Sequence, residues 1–130
     1  SNPVFKVFGY KSEGQPYFAA CINGKTAAVG TITSPTISGG IGKINLKYCV
    51  PYTESKGVKF KIDILQGGNV VKTLTVENTS AAKLTAYDYS ADVNVSGDFQ
   101  ILITNLSPSA VADSNKDRFA IWALNWTKME

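Results

Sequence analysis

Two tryptophans near the end of the chain, Trp122 and Trp126, and a set of rings near its start, Phe8, Tyr10, Tyr17 and Phe18, could hold a flat apolar ligand. Sugars present such faces, built of C–H groups, and an indole or phenol ring beside amides and carboxylates is the least that a carbohydrate site needs. The plainer use of the same rings is core packing, since large aromatics dominate protein interiors. In the stretch 119–126, Phe119, Ile121 and Ala123 alternate with Ala120, Trp122, Leu124 and Trp126, so both faces of a strand there would be apolar. One face must enter a core, and the other is covered by a loop or exposed as a platform. On this basis Trp122, Trp126, Tyr10 and Tyr17 are the candidate stacking residues.

A second pattern is basic. Lys43 and Lys47 fall on the outward side of one predicted strand, and Lys59 and Lys61 on the outward side of the next. If those strands neighbour one another, four ammonium groups share a surface that would attract an anionic glycan or a phosphate backbone. The plainer alternative is a solvated face whose lysines deter edge aggregation. A net charge of +3, a single arginine (Arg118) and the lack of a base-stacking motif among these lysines weigh against nucleic acid.

Carboxylates offer less. Asp88 and Asp92 share one side of a predicted strand and Asp113 and Asp117 flank a polar loop, which formally allows a glycosidase acid and nucleophile. Nothing in the sequence sets two of them across a cleft. With no histidine in the chain, the commonest general base, nucleophile partner and transition-metal ligand are all missing. No enzyme activity is expected. Asp113, Asn115 and Asp117 resemble the start of a calcium loop but lack its glycine and glutamate, so a structural calcium is the one cofactor left open. Cys21 and Cys49 permit one disulfide, the alternative being two buried thiols, and neither has a zinc-site spacing. Asn-X-Ser/Thr triplets at Asn78, Asn94, Asn105 and Asn125 read as coincidence in a chain rich in these residues.

The elements that must position these groups are strands. Apolar and polar residues alternate with period two between turn-rich segments, and helical periodicity is nowhere sustained. Strands are predicted over 4–8, 17–22, 25–31, 41–50, 58–64, 70–77, 84–95, 99–105 and 119–127. Asn23-Gly24 is expected to turn one hairpin and Gly67-Gly68 another, and the alternation slips near Ala86, where a bulge or bend is expected. No stretch offers the crossover helix of a parallel sheet, so the expected fold is one all-β domain over residues 1–130, a two-sheet antiparallel β-sandwich or jelly roll. At 130 residues, one core is all the chain can support.

With these strands in place, Asp117-Arg118-Phe119-Ala120-Ile121-Trp122-Ala123-Leu124 resembles the closing strand of galactose-binding-like jelly rolls, and Ser38 to Tyr48 resembles an early core strand of the same class. That resemblance implies a module of the kind appended to secreted, multidomain bacterial hydrolases and surface proteins. Such modules often carry an acidic residue where Trp122 stands here, a departure that favours Trp122 as a stacking platform. The N-terminus lacks the basic start and apolar run of a signal peptide, and the only methionine is Met129, so a mature extracellular or cell-surface piece of a longer protein is expected. The leading functional expectation is a noncatalytic ligand-binding module, with a polysaccharide or other glycan as partner. A structural or protein-interaction domain docking on neighbouring domains comes second, and a nucleic-acid accessory domain third.

Overall fold

Alternation of apolar and charged residues forces a strand to bury one face, and Val58-Lys59-Phe60-Lys61-Ile62-Asp63-Ile64 is the clearest case. In the computed structural model, which describes residues 5–12, 15–22, 31–49, 58–78, 85–106 and 119–129, Val58, Phe60, Ile62 and Ile64 are buried and the residues between them form the opposite row. Nine strands are described: β1 (Phe5–Ser12), β2 (Gln15–Ile22), β3 (Thr31–Thr33), β4 (Ile41–Cys49), β5 (Val58–Gln66), β6 (Asn69–Asn78), β7 (Tyr87–Val95), β8 (Gln100–Asn105) and β9 (Phe119–Trp126). They form a five-stranded sheet in the order β1-β2-β9-β4-β7 and a four-stranded sheet in the order β3-β8-β5-β6. Every pairing between these strands is antiparallel. The two-sheet antiparallel sandwich expected from the sequence is the observed fold.

Inward rows of the two sheets meet as one core of Ile41, Ile44, Leu46 and Tyr48 from β4, Phe60, Ile62 and Ile64 from β5, and Phe99, Ile101, Ile103, Phe119 and Ile121. Phe60 of one sheet stacks on Phe119 of the other with ring centroids 4.5 Å apart and planes 7° from parallel. Tyr48 meets the edge of Phe60 at 5.6 Å and stacks on Tyr87 at 5.5 Å. Full burial of a side chain such as Phe60 or Phe119 is worth about 1.5–3 kcal/mol, so this stacked pair is a principal fastener between the sheets.

The β5–β6 hairpin matches its prediction, and the reason is local. Gly67 and Gly68 take φ of 58° and 83°, the left-handed pair that a type I′ turn needs and that other residues resist. Elsewhere the chain departs from expectation. β1 runs on to Ser12, past the end predicted at Phe8, and pairs along its whole length with β2. The turn at 23–24 and the return strand over 25–30 lie outside the described residues, while Thr31 belongs to β3 and pairs with β8 of the opposite sheet. Ala86, where a bulge or bend is expected, lies just before β7, which begins at Tyr87, and not within a strand. The register shifts fall between Ile41 and Lys43, where Asn94 of the partner strand takes φ 55°, between Asn45 and Lys47, and between Ile64 and Leu65.

The topology decides two questions of proximity that the sequence leaves open. β4 and β5 are consecutive in the chain but lie in different sheets, so Lys43 and Lys47 stand on one outer face of the sandwich and Lys59 and Lys61 on the other. The four-lysine stripe does not exist. Cys21 and Cys49 flank Ala120 from strands on either side of β9, which sets them two strand spacings, about 9.6 Å, apart. A disulfide needs Cα atoms within roughly 7 Å, and Cys49 is a buried thiol.

Candidate functional site

The outer face of the five-stranded sheet gathers most of the residues that the sequence singles out. On β4, Lys43, Asn45 and Lys47 alternate with the buried Ile44, Leu46 and Tyr48 and so face outward. β7 sets Asp92, Ser90 and Asp88 directly opposite them. On the other side, β9 sets Asn125 opposite Asn45 and Trp122 opposite Lys47.

Those last two pairs enclose a bulge. From Asn45 to Lys47, β4 advances by two residues while β9 advances by three, from Asn125 to Trp122. The extra residue is accommodated at Ala123, which has φ 53°. A non-glycine residue in the left-handed region costs on the order of 1–3 kcal/mol, and such strain together with a bulge is common where a side chain must be re-aimed. Here the bulge inverts the alternation of the strand. Trp126 lands opposite the buried Ile44, on the core side, and meets the edge of Phe99 at 6.2 Å and 89°. It remains 36% exposed at the rim. Trp122 and Trp126 therefore fall on opposite sides of β9, contrary to the expectation from simple alternation, and Trp126 stands outside the face that carries Lys47 and Asn45.

Asn125, by the same inversion, faces outward into a polar chain. Ser90 Oγ donates to Asn45 Oδ1, Asn45 Nδ2 donates to Asn125 Oδ1 at 3.1 Å, and Asn125 Nδ2 donates to the carbonyl of Ala123 at 3.0 Å. Beside this chain Lys47 Nζ donates to Asp88 Oδ1 at 2.6 Å. Each amide carries two N–H groups and two oxygen lone pairs, so these bonds fix the orientation of both amides and still leave each with a donor to offer. The residues line a depression of about 250 Å³ formed by Asn45, Lys47, Asp88, Ser90, Ala123 and Asn125. A second depression of about 370 Å³ lies at the Lys43–Asp92 end, between Gly42, Asn94, Thr127 and Lys128.

Register carries the same face onto β2 and β1. Ala20 pairs with the inward Ile121, so alternation puts positions 19 and 17 in the outer row, and Tyr10 pairs with Tyr17. Positions 10, 17 and 122 are thus on the face of Lys47 and Asn45. One end of the face is closed: Ala120 and Cys49 belong to its outer row yet are fully buried.

The remaining predicted residues lie apart from it. Lys59 stands opposite Glu77 on the outer face of the four-stranded sheet, and Lys61 Nζ lies 3.3 Å from Asp63 Oδ2 there. Asp88 and Asp92 are four residues apart on one strand, roughly 13 Å, which exceeds the separation of about 5–9.5 Å that glycosidase carboxylate pairs use. Each faces a lysine instead. Asp113, Asn115 and Asp117 lie outside the described residues, and among the described residues no group of three His, Cys, Asp or Glu could hold a metal. Of the asparagines in glycosylation triplets, Asn105 is only 2% exposed. Asn45, Ser90 and Asn125 were not singled out as binding residues by sequence reasoning; outward parity on β4 and β7 was the available signal for the first two.

No family profile and no curated protein matches the sequence. Solved structures do match in fold. TmCBM61, described in complex with β-1,4-galactotriose, superimposes with a TM-score of 0.58 at 13% identity, covering 95% of this chain and 88% of that one. The CBM22-2 xylan-binding domain of Paenibacillus barcinonensis Xyn10C gives 0.54 at 10% identity, covering 96% and 88%. The enzymatically active domain of tailspike protein 4 from bacteriophage CBA120 gives 0.57 at 16% identity, with 98% of this chain covering 18% of that chain. The chain thus has the β-sandwich, jelly-roll fold found in carbohydrate-binding modules, in agreement with the resemblance read from its strands.

Proposed function

We propose that this domain is a noncatalytic carbohydrate-binding module of a larger extracellular or cell-surface protein, and that the outer face of the five-stranded sheet is its binding platform. The observation that carries this reading is the coincidence, on one face, of positions Tyr10, Tyr17 and Trp122 with an ordered row of amides and charged groups. Aromatic rings supply stacking for the apolar faces of sugars, and the Asn45–Asn125 row supplies directional hydrogen bonds to their hydroxyls. The likeness in fold to modules whose ligands are galactotriose and xylan supports the same reading. Lys43 and Lys47 contribute as hydrogen-bond donors within this face. Lys59 and Lys61, on the opposite face, have no part in it.

A ligand that binds only the folded state raises the unfolding temperature. Thermal unfolding of the domain against a panel of soluble polysaccharides, with and without calcium, is expected to show an upward shift for at least one polymer, lost in Trp122→Ala. A second reading, a domain that docks on a protein neighbour, has one observation in its favour: Val70 and Val71 near the β5–β6 turn are 55% and 47% exposed. If no polysaccharide moves the transition, the docking reading replaces the first.

A further inference from the structure

We infer that the depression at the Ala123 bulge is a subsite for the vicinal hydroxyls of a neutral glycan, with Asn45 and Asn125 as its specificity-determining residues. This rests on the carbohydrate-binding reading and narrows it, because the sequence alone leaves an anionic glycan open as well. Charge on the face decides the matter. Lys47 is bonded to Asp88, and Lys43 stands opposite Asp92, so the two ammonium groups on β4 are matched by two carboxylates on β7. Within the bonded pair the carboxylate is the more accessible half, its side chain 77% exposed against 43% for the lysine. A uronate or sulfate chain laid along this face would meet Asp88 before it met Lys47, and like charges at that distance repel.

What the face offers instead is paired donors and acceptors. Ser90 donates to Asn45 Oδ1, so the Asn45 Nδ2 group points toward Asn125, and the Ala123 carbonyl holds the Asn125 Nδ2 in turn. The bulge makes this possible: with regular pairing Asn125 would fall on the core side, and the strained φ of Ala123 is what turns it outward. Adjacent hydroxyls on a sugar ring each donate and accept. Two neighbouring amides with fixed orientation and spare valences complement such a pair, whereas a carboxylate or sulfate, an acceptor only, would leave the Asp88 carboxylate and the amide oxygens unanswered.

The test is calorimetric titration with neutral polymers (β-1,4-galactan, xylan, glucomannan) and anionic ones (polygalacturonate, chondroitin sulfate), at low and high salt, for the parent and for Asn45→Ala and Asn125→Asp. Each variant is first checked for an unchanged unfolding temperature. Asn125→Asp keeps the shape of the side chain and replaces its Nδ2 donor, including the bond to the Ala123 carbonyl, with a charged acceptor, while Asn45→Ala removes the facing amide, so the two variants report on recognition in different ways. The expected result is tightest binding to a neutral polymer, little moved by salt, with about a tenfold loss of affinity in each variant. Tightest binding to a polyanion, weakening steeply with salt as charge-driven binding does, would overturn the subsite and leave the module reading standing. So would unchanged affinity in both asparagine variants alongside its loss in Trp122→Ala. Absence of binding to every polymer removes the module reading, and the subsite with it.

Discussion

The two outer faces of the sandwich start from the same alternation of apolar and polar residues and finish as different surfaces. On the four-stranded sheet the polar groups satisfy one another. Asp63 accepts from Thr73 Oγ1 at 2.6 Å, lies 3.3 Å from Lys61 Nζ, and has a side chain only 4% exposed. Thr31, Thr104, Lys61 and Thr75 continue across that sheet in one unbroken row. On the five-stranded sheet a bulge breaks the row, and the amides it aligns keep unused donors facing a depression. A polar face that closes its own hydrogen bonds adds stability and solubility. One whose groups are oriented but only half used is prepared for a ligand, because orientation has been fixed in advance of binding.

The largest expected effect strikes the core that both faces share. Phe60→Ala removes the ring stacked on Phe119 and should cost about 3–5 kcal/mol in denaturant unfolding, weakening both faces alike. A loss under about 1 kcal/mol would show that the stacked pair is not the fastener described. Next, Trp122→Ala should lower affinity for a bound polysaccharide by roughly 2 kcal/mol, about thirtyfold, while leaving the unfolding midpoint in place. A fall in stability with unchanged affinity would move Trp122 into the core.

The contrast between faces is sharpest in two aspartates. Asp63→Ala strips a buried acceptor from Thr73 and should destabilise by about 1–3 kcal/mol with no effect on binding. Asp88→Ala breaks a more solvated pair and should cost at most about 1 kcal/mol. Equal losses for the two would erase the distinction drawn between the faces. The smallest effect concerns Tyr89, whose phenol burial pushes above its ordinary value. Below the ordinary tyrosine range both folded and unfolded states keep this proton; as pH rises through that range the unfolded state ionises first and stability falls. Tyr89→Phe should flatten that alkaline decline in a pH series of melts.

How much of this was legible in the sequence depends on the strand. In β5 and β6 the alternation over 58–64 and 72–77 and the Gly67-Gly68 turn determine the faces and the hairpin by local rules, and only the register shift after Ile64 carries no mark in the sequence. In β9 the same alternation misleads, because the inversion comes from a bulge at Ala123. Alanine is a poor candidate for a positive φ, so no residue type announces the bulge, and simple alternation puts Trp126 on the opposite face from the one it takes. The lysine stripe failed for a different reason. Strands next to each other in sequence usually neighbour one another in space, and β4 and β5 are an exception that only the full sheet order reveals. Tyr10, Tyr17 and Trp122 stand out in the sequence by their chemistry alone, and the register that puts their positions on one face depends on long-range pairings between β1, β2, β9 and β4. The asparagines were hidden by abundance: in a chain rich in turn residues, Asn45 and Asn125 carry no mark until β4 and β9 are paired.

The central claim is that ligand meets the five-stranded face, and amide chemical-shift mapping during titration with a soluble neutral oligosaccharide tests it most directly. Shifts concentrated at residues 43–47, 88–92 and 122–126, with residues 61, 73 and 104 of the opposite sheet unmoved, are the predicted result. Shifts centred on the four-stranded face, or on the β5–β6 turn around Val70 and Val71, would contradict it.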